Sequence, residues 1–195
     1  MDLKPIDRVK KYYSDLEPRM DLFYAAEKGP FLGGHIPKIY GILEELVDDG
    51  VLSPDKTFLD AGSGDGRIVA IAAVLGLRAF GIEWSEPIYE ASKEDLEMLS
   101  EENIFPKTPT VVKGDFFDFA IYKELGIEFE EINVFYSYET FTKELGKLIV
   151  DHSPPKTVLL HHSQNNDPIT VEGLSHIKTV PVINLFQFLH VFMKD

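Results

Sequence analysis

The chain has 195 residues, of which 19 are basic and 33 acidic, so its formal net charge is −14 at pH 7. A charge of this sign opposes the counterion release that drives nucleic-acid binding, so DNA and RNA are not expected partners. The absence of cysteine excludes disulfides, thiolate metal ligands and a cysteine nucleophile. No apolar run reaches the roughly 20 residues that span a bilayer, and the first residues lack the apolar core of a signal peptide. We therefore expect a cytoplasmic protein with no membrane partner.

The first quarter of the sequence predicts a helical extension, a loop and a helix. Residues 1–28 are polar with scattered aromatic side chains, and we interpret them as a helical extension. The loop "KGPFLGGHIPK" follows, and we expect it, with His35, to form a lid over the candidate site. Pro37 then opens a helix with apolar residues at helical spacing, which Gly50 ends. This division makes residues 1–35 an extension and lid, followed by one globular domain over residues 36–195.

Strands and helices alternate through that domain. Buried strands are predicted at 56–60, 78–83, 108–117, 132–139 and 156–163, with helices between them at 66–76, 86–103, 121–126 and 142–152. Residues 176–184 and 186–194 alternate between polar and apolar side chains, which predicts a closing antiparallel pair. Because each parallel crossover needs a helix on one face, the order predicts an α/β fold. It is a doubly wound, mostly parallel seven-strand sheet with helices on both faces, a closing antiparallel hairpin and the N-terminal helical extension.

A glycine-rich loop, "AGSGDG", follows the first predicted strand. Its glycines, Gly62, Gly64 and Gly66, leave the backbone bare, which either makes a tight turn or lets a ligand approach closely. In a doubly wound sheet the loop lies at the carboxyl edge, where ligands bind. The third glycine comes one residue earlier than in a dinucleotide fingerprint, and Asp60 precedes the loop. An acid at this place disfavours a pyrophosphate and favours an ammonium group or a cluster of water molecules.

Acidic residues also end the next two predicted strands. Glu83 ends the second strand about 20 residues after Asp60, where cofactor folds of this kind bind ribose hydroxyls. Trp84 follows, and its ring either lies along a nucleobase or fills the space between strand and helix. Asp115 and Phe116 end the third strand and offer a carboxylate for an exocyclic amine and a ring for stacking, although such an acid also serves as a cap or turn residue. Three acids at three successive strand ends favour a ligand site at this edge.

The segments "FLDAGSGDGR", "AFGIEWSE" and "VVKGDFFD" resemble the cofactor motifs of the class I, seven-strand S-adenosylmethionine-dependent methyltransferases. They occur in the expected order, and the resemblance covers roughly residues 36–195. It implies that S-adenosylmethionine is the cofactor, that Glu83 takes the ribose hydroxyls, and that Asp115 and Phe116 bind adenine. The methionine portion would be held by Asp60, Gly62, Ser63, Gly64, Asp65 and Gly66. A cationic sulfonium and α-ammonium suit this acidic, bare-backbone pocket.

The segment after the fourth strand bears on the methyl acceptor. It reads "FYSYET", without the Asn/Asp-Pro-Pro-Tyr signature of enzymes that methylate adenine or glutamine amino groups. The long helix usual after the fifth strand is missing, and the chain is similar to the small archaeal protein-lysine methyltransferases and to the seven-strand histone-lysine methyltransferase core. The resemblance implies N-methylation of an amine, with a protein lysine as the acceptor. The alternatives are a small-molecule acceptor and a non-catalytic cofactor-binding module, and the acidity favours a cationic acceptor or serves solubility alone.

Catalytic candidates lie at the ends of the fourth and fifth strands. Tyr136, Tyr138 and Glu139 are placed to face the methyl, since hydroxyls and a carboxylate can orient an amine and aromatic faces suit a methylated ammonium. The alternative is that Tyr136 points into the core and only Tyr138 reaches the site. His161 and His162 point to opposite faces of the sheet, so at most one can be a general base. The histidines and acids show no metal-ligand spacing, so no metal is expected.

Overall fold

The computed structural model describes residues 3–16, 34–139, 141–183 and 186–195. Much of the predicted extension and most of the predicted lid lie outside these residues. The helices are α1 (Pro5–Asp15), α2 (Ile36–Asp48), α3 (Arg67–Val74), α4 (Glu86–Glu101), α5 (Ala120–Glu124) and α6 (Thr142–His152). The strands are β1 (Thr57–Ala61), β2 (Arg78–Glu83), β3 (Thr110–Lys113), β4 (Val134–Tyr138), β5 (Val158–Ser163), β6 (Leu174–Ile183) and β7 (Gln187–Lys194).

The strands form one seven-stranded sheet in the order β3-β2-β1-β4-β5-β7-β6. Strands β1 to β5 are mutually parallel, and β7 lies antiparallel between β5 and β6. The strand order reverses between β1 and β4, which is the switch point where open α/β sheets bind ligands. The predicted α/β fold with a closing antiparallel hairpin is confirmed.

Two hydrophobic cores cover the two faces of the sheet. Neighbouring residues of each central strand enter different cores, as Phe58 and Leu59 do in β1, because successive side chains point to opposite faces. The first core contains apolar residues of α1, α2, α3 and α4, and the second contains those of α5 and α6. Helices therefore pack on both faces, as predicted.

Strand β3 is shorter than the sequence suggested, ending at Lys113 rather than at residue 117. The chain leaves the ladder after the Gly114 amide donates to the Glu83 carbonyl at 2.9 Å. Asp115 then accepts the Phe117 amide on Oδ1 at 3.0 Å, which closes a local turn. Phe116 and Phe117 pack in and against the second core without taking part in strand pairing.

Helix α1 contacts a buried ion pair in the glycine loop through Tyr13. Arg67 donates to both carboxylate oxygens of Asp65, with Nε 2.9 Å from Oδ1 and one terminal nitrogen 2.7 Å from Oδ2. Both residues are almost fully buried, and the guanidinium lies 5.3 Å from the centre of the Tyr13 ring of α1. The Tyr13 hydroxyl donates to the Asp65 carbonyl at 3.0 Å. The N-terminal helix and the loop are therefore held by one polar cluster.

Replacing Arg67 by Met should leave the Asp65 carboxylate buried without its cation. We expect the free energy of unfolding to fall by about 3 kcal/mol, the loss typical of breaking one side of a buried ion pair. Chemical denaturation with urea measures the change. Arg8→Met is the matched control, because the Arg8–Glu102 pair is part-exposed and such pairs contribute little. An equal loss in both variants would show that burial of the Asp65 pair is not what stabilises the loop.

Candidate functional site

The carboxyl ends of the central strands bring the predicted site residues to one edge of the sheet. Asp60 lies beside Gly81 of β2 and beside Tyr136 of β4, and Tyr138 lies beside His162 of β5. Register partners on parallel strands point to the same face, as do residues two apart on one strand. Asp60, Tyr136, Tyr138 and His162 therefore share the face that the first core covers.

The glycine loop wraps around the Glu83 carboxylate. Gly62, Gly64 and Gly66 have φ values of 87°, 55° and 77°, a region that residues with a Cβ rarely adopt. The Gly64 amide donates to Glu83 Oε2 at 2.9 Å, and the Ser85 amide donates to Oε1 at 2.8 Å. Burial raises the pKa of Glu83, an effect that these amide donors oppose. The carboxylate predicted to meet a ribose is therefore fixed at the loop by backbone donors.

Asp60 is buried without the hydrogen bonds that such a group normally has. It is 2% exposed, and among the described residues nothing donates a hydrogen bond to its Oδ1. Burial, followed by repulsion from Glu83 and Asp65, raises its pKa well above the usual value. The neighbouring Ser63 Oγ also lacks a partner in the described part of the chain. Because buried polar atoms are nearly always paired, these two atoms are candidates for contact with a ligand.

Asp65 belongs to the same loop, and its carboxylate is paired with Arg67. Both of its oxygens accept from Arg67, which the sequence analysis did not single out. The sequence does contain a signal for this pair, because Asp65 lies two residues before Arg67 and two such residues can meet across a tight loop. The side chain of Asp65 therefore stabilises the loop, and its predicted contact with the cofactor stays a prediction.

The predicted adenine side lies at the ends of β2 and β3. Trp84 is 42% exposed, so much of its ring is accessible and it does not fill the core. Asp115 supports the turn to Phe117, the role that the sequence analysis gave as its alternative. Phe116 packs in the second core, and the part-buried Phe117 lies against it with ring centres 4.5 Å apart. Phe117 is therefore the more accessible ring of this pair.

The two tyrosines of β4 differ in depth. Tyr136 is 1% exposed, and its hydroxyl lies 2.6 Å from Nδ1 of His162. Tyr138 is part-buried and stacks on the His162 ring with centres 3.9 Å apart and planes at 14°. Both side chains point to the same face, so their difference comes from distance to the edge and not from strand alternation. Tyr138 lies nearer to the carboxyl end of the strand than Tyr136, but its hydroxyl is also buried.

Glu139 ends β4 in a strained conformation. Its φ is 53°, which a residue with a Cβ adopts at a cost of about 1 kcal/mol or more, and such strain is common at functional sites. Its Oε1 accepts from the Ser163 hydroxyl at 2.8 Å and from the Gln164 amide at 2.7 Å. The residue is exposed, so its carboxylate is held at the rim by the end of β5 while it still meets solvent.

The adjacent histidines of β5 point to opposite faces, as predicted. Burial lowers the pKa of both His161 and His162 to about 4, so both rings are neutral at pH 7. A base with so low a pKa is poorly matched to removing a proton from an ammonium group. His35, which the sequence placed in a lid, caps α2 by accepting the Lys38 amide on Nδ1 at 3.4 Å. The other residues of the predicted lid loop are largely outside the described ranges.

Gln187 was missed by the sequence analysis altogether. Its Oε1 lies 3.1 Å from Nε2 of His162, at the start of β7. Nothing in its local sequence signals this contact, because it depends on how β7 is registered against β5.

Within residues 3–16, 34–139, 141–183 and 186–195, no three His, Asp or Glu side chains form a metal-binding group. In the same ranges no helix combines the length and the apolar character needed to cross a membrane.

No protein-family profile matches the sequence. Among curated proteins, the chain is 26% identical over 135 residues to "Histone-lysine N-methyltransferase, H3 lysine-79 specific" of Dictyostelium discoideum. The alignment covers 63% of this chain and 7% of that protein, so the chain corresponds to a small part of its relative.

Solved structures with the same fold include methyltransferases. An RNA methyltransferase from Salinibacter ruber in complex with S-adenosyl-L-homocysteine matches with a TM-score of 0.59 and 18% identity, covering 79% of this chain and 90% of that one. MtNAS in complex with S-adenosylmethionine matches with a TM-score of 0.60 and 14% identity, over 97% of this chain and 77% of that one. The chain therefore has the fold of the class I S-adenosylmethionine-dependent methyltransferases, as its motifs predicted.

Replacing Asp60 by Asn should stabilise the ligand-free protein at neutral and alkaline pH. The folded-state pKa is raised, so between the usual value of 3.8 and that raised pKa the folded state binds more protons than the unfolded state. The stability of the unsubstituted protein therefore falls as pH rises through this window, and a neutral Asn removes that loss.

Urea denaturation of both proteins from pH 3.5 to pH 9 measures the effect. We expect Asp60→Asn to be the more stable protein at high pH, with the difference shrinking as pH falls through the folded-state pKa. Glu86→Asn, at an exposed acid, is the control and should show no such pH-dependent gain. A destabilised Asp60→Asn protein across the whole range would mean that the carboxylate is satisfied after all.

Proposed function

We propose that the chain is an S-adenosylmethionine-dependent methyltransferase that N-methylates an amine, with a lysine of a basic protein as the acceptor. The observation that carries the first part is the buried Asp60 carboxylate beside the glycine loop, with an oxygen that no described residue satisfies. A carboxylate in that state is suited to an α-ammonium group and unsuited to a phosphate. The fold and the three acids at successive strand ends support the same cofactor.

The remaining cofactor contacts follow from the geometry around this acid. The backbone of the loop, Gly62 to Gly66 with Ser63 between, would hold the methionine portion, and Glu83 would accept the ribose hydroxyls. Glu83 still has acceptor capacity, because a carboxylate has about four lone-pair positions and the backbone amides of Gly64, Ser85 and Trp84 occupy three of them. The exposed Trp84 and the Asp115–Phe117 turn would border adenine. Residues 36–195 would form the methyltransferase domain, and residues 1–35 an N-terminal extension to it.

The acceptor assignment rests on Tyr138 and Glu139. S-adenosylmethionine supplies, when bound, a methyl group already activated by its sulfonium, so the protein has to align the acceptor nitrogen and help it lose a proton. Burial raises the pKa of Tyr138, so its hydroxyl keeps its proton at pH 7 and can hydrogen-bond a neutral amine. The rim carboxylate of Glu139 can accept an N–H from the incoming ammonium and orient its nitrogen toward the methyl.

Charge and comparison both favour a cationic protein acceptor. The net charge of −14 attracts basic partners over a distance set by the salt concentration. The curated relative is described as a histone-lysine methyltransferase, although this chain matches a small part of it. The same charge repels RNA, the substrate class in the description of the Salinibacter ruber structure. A small-molecule acceptor and a cofactor-binding module without turnover remain the alternatives for the test.

Transfer of a radiolabelled methyl group from S-adenosylmethionine tests the proposal. The purified protein is incubated with separate protein, RNA and metabolite fractions, and we expect acid-stable label in basic proteins, recovered as N-methyl-lysine after hydrolysis. Labelling should decline as salt is raised, because the screening length is about 8 Å at physiological ionic strength. Label in RNA, in metabolites or in a base-labile ester would overturn the acceptor assignment. Binding of S-adenosylhomocysteine without transfer to any fraction would indicate the non-catalytic module.

Tyr138→Phe and Glu139→Gln should separate turnover from cofactor binding. The first keeps the ring that stacks on His162, and the second keeps an oxygen for the Ser163 and Gln164 donors. We expect each to lower kcat by about tenfold or more while the affinity for S-adenosylhomocysteine changes by less than about twofold. Tyr40→Phe on α2 and Glu97→Gln on α4 are the matched controls and should keep full activity. Full activity in both site variants would remove these residues from the acceptor site.

A further inference from the structure

A continuous chain of hydrogen bonds runs from a buried histidine of β7 to the Glu139 carboxylate. His190 Nε2 lies 2.9 Å from the Asn165 carbonyl, and the Asn165 amide donates to Ser163 Oγ at 2.9 Å. The Ser163 hydroxyl in turn donates to Glu139 Oε1, which also accepts the Gln164 amide. His190 and Glu139 are therefore connected through three consecutive residues at the end of β5.

These three residues, 163–165, which we call the β5 loop, lead from the sheet to the surface. Ser163 is buried, but Gln164 and Asn165 are exposed. Exposed segments at strand ends open easily, because few buried contacts hold them. His190 has no exposed surface, so its bond to the Asn165 carbonyl attaches the exposed end of the loop to the buried part of β7.

Both ring nitrogens of His190 have a partner. A carbonyl oxygen can only accept, so the proton on Nε2 is donated to Asn165. Nδ1 lies 2.8 Å from the hydroxyl of Thr179, which is the register partner of His190 on β6. Two contacts on opposite sides of the ring fix its plane and the direction of its donor. The anchor of the loop is therefore set by the pairing of β6 with β7.

Glu139 depends on the β5 loop for its position. Its φ of 53° is one that a residue with a Cβ keeps only where its surroundings hold it. Its amide donates to the His162 carbonyl at 3.1 Å, and its carboxylate has the two donors of the loop. Release of the loop would remove both of these donors and let the strained residue relax.

We propose that His190 is a positioning residue that holds the Glu139 carboxylate through the β5 loop. It keeps the donors of Ser163 and Gln164 in place, and these donors keep Glu139 at the rim, where it would orient the acceptor amine. This inference rests on the proposed function for the role of Glu139. The hold of His190 on the loop can be measured without cofactor or acceptor.

The first measurement is the ring protonation of His190 in the unsubstituted protein, read from its ring nitrogen shifts by 15N NMR at pH 7. The proposal requires a proton on Nε2. A ring with its proton on Nδ1 alone could not donate to the Asn165 carbonyl, and this result would overturn the proposal.

The second measurement compares His190→Gln with His190→Asn in the ligand-free protein. The amide nitrogen of Gln can replace Nε2 as a donor to Asn165, whereas the shorter Asn reaches only the position of Nδ1. In His190→Asn we expect the amides of Gln164 and Asn165 to exchange with deuterium about fivefold faster or more, and in His190→Gln at a nearly unchanged rate. Rates are taken relative to the buried amide of Phe135 in β4, which reports global unfolding. Equal acceleration in both variants, or none in either, would overturn the proposal.

The third measurement connects the loop to turnover. His190→Asn should lower kcat by about fivefold or more and leave the affinity for S-adenosylhomocysteine within about twofold, because the predicted cofactor contacts lie on β1, β2 and β3. His190→Gln should restore most of kcat, which a loss of packing alone would not explain. In a Glu139→Gln background, His190→Asn should change kcat by less than about twofold, because no carboxylate is left to position.

Equal losses of kcat in the two backgrounds would show that His190 acts on turnover by another route, and would overturn the proposal. If the unsubstituted protein transfers no methyl group, the proposed function fails. The ring proton of His190 and the amide exchange of the β5 loop would still decide whether His190 holds the loop against Glu139.

Discussion

The buried carboxylate of Asp60 is the constraint to which the rest of the site is fitted. Ionised groups are expensive to remove from water, and most proteins avoid the cost by pairing them. Here Asp60 is buried on the face of β1 that the first core covers, with Glu83 and Asp65 adding negative charge nearby. The fold can hold such a group because two extensive apolar cores stabilise the sheet around it. A cationic ligand would supply the positively charged partner that the carboxylate lacks in the ligand-free protein. The burial of Asp60 that lowers the stability of the free protein would then favour binding of that ligand.

Three acids in the region of the glycine loop differ in what their carboxylates contact, and these contacts indicate their roles. Asp65 is neutralised by Arg67, Glu83 is solvated by backbone amides, and Asp60 is left with an open oxygen. The Asp65 pair fixes the loop, and the amides fix Glu83 as an acceptor beside it. The open oxygen of Asp60 would be stabilised by a positively charged group. Repulsion among them is tolerable only because the first two are already compensated. The loop is therefore a preorganised frame beside one buried carboxyl group whose Oδ1 has no hydrogen-bond donor among the described residues.

Much of this could be predicted from the sequence, and the failures have a common physical cause. The alternation of strands and helices predicted the doubly wound parallel sheet with its closing hairpin, and the strand ends predicted which residues lie near its carboxyl edge, because both depend on local patterns. The sequence could not show that Asp65 faces Arg67, that Phe116 lies in the core while Phe117 is at the rim, or that Tyr136 lies deeper than Tyr138. Alternation along a strand determines the face of the sheet but not the depth below its edge. Contacts such as that of Gln187 with His162 depend on the register of strands distant in sequence, which no local pattern reveals.

The packing shows that the predicted boundary between extension and domain does not separate two independent cores. Helix α1 precedes the predicted boundary at residue 35, yet Ile6, Val9 and Tyr13 are part of the first core. The Tyr13 hydroxyl binds the Asp65 carbonyl, so the helix is attached to the backbone of the loop itself. A segment attached in this way cannot shift without disturbing the Asp65–Arg67 pair, and that pair fixes the loop around Glu83. Helix α1 is therefore coupled to the glycine loop through a short chain of buried polar contacts, and we expect the two to open together in local unfolding.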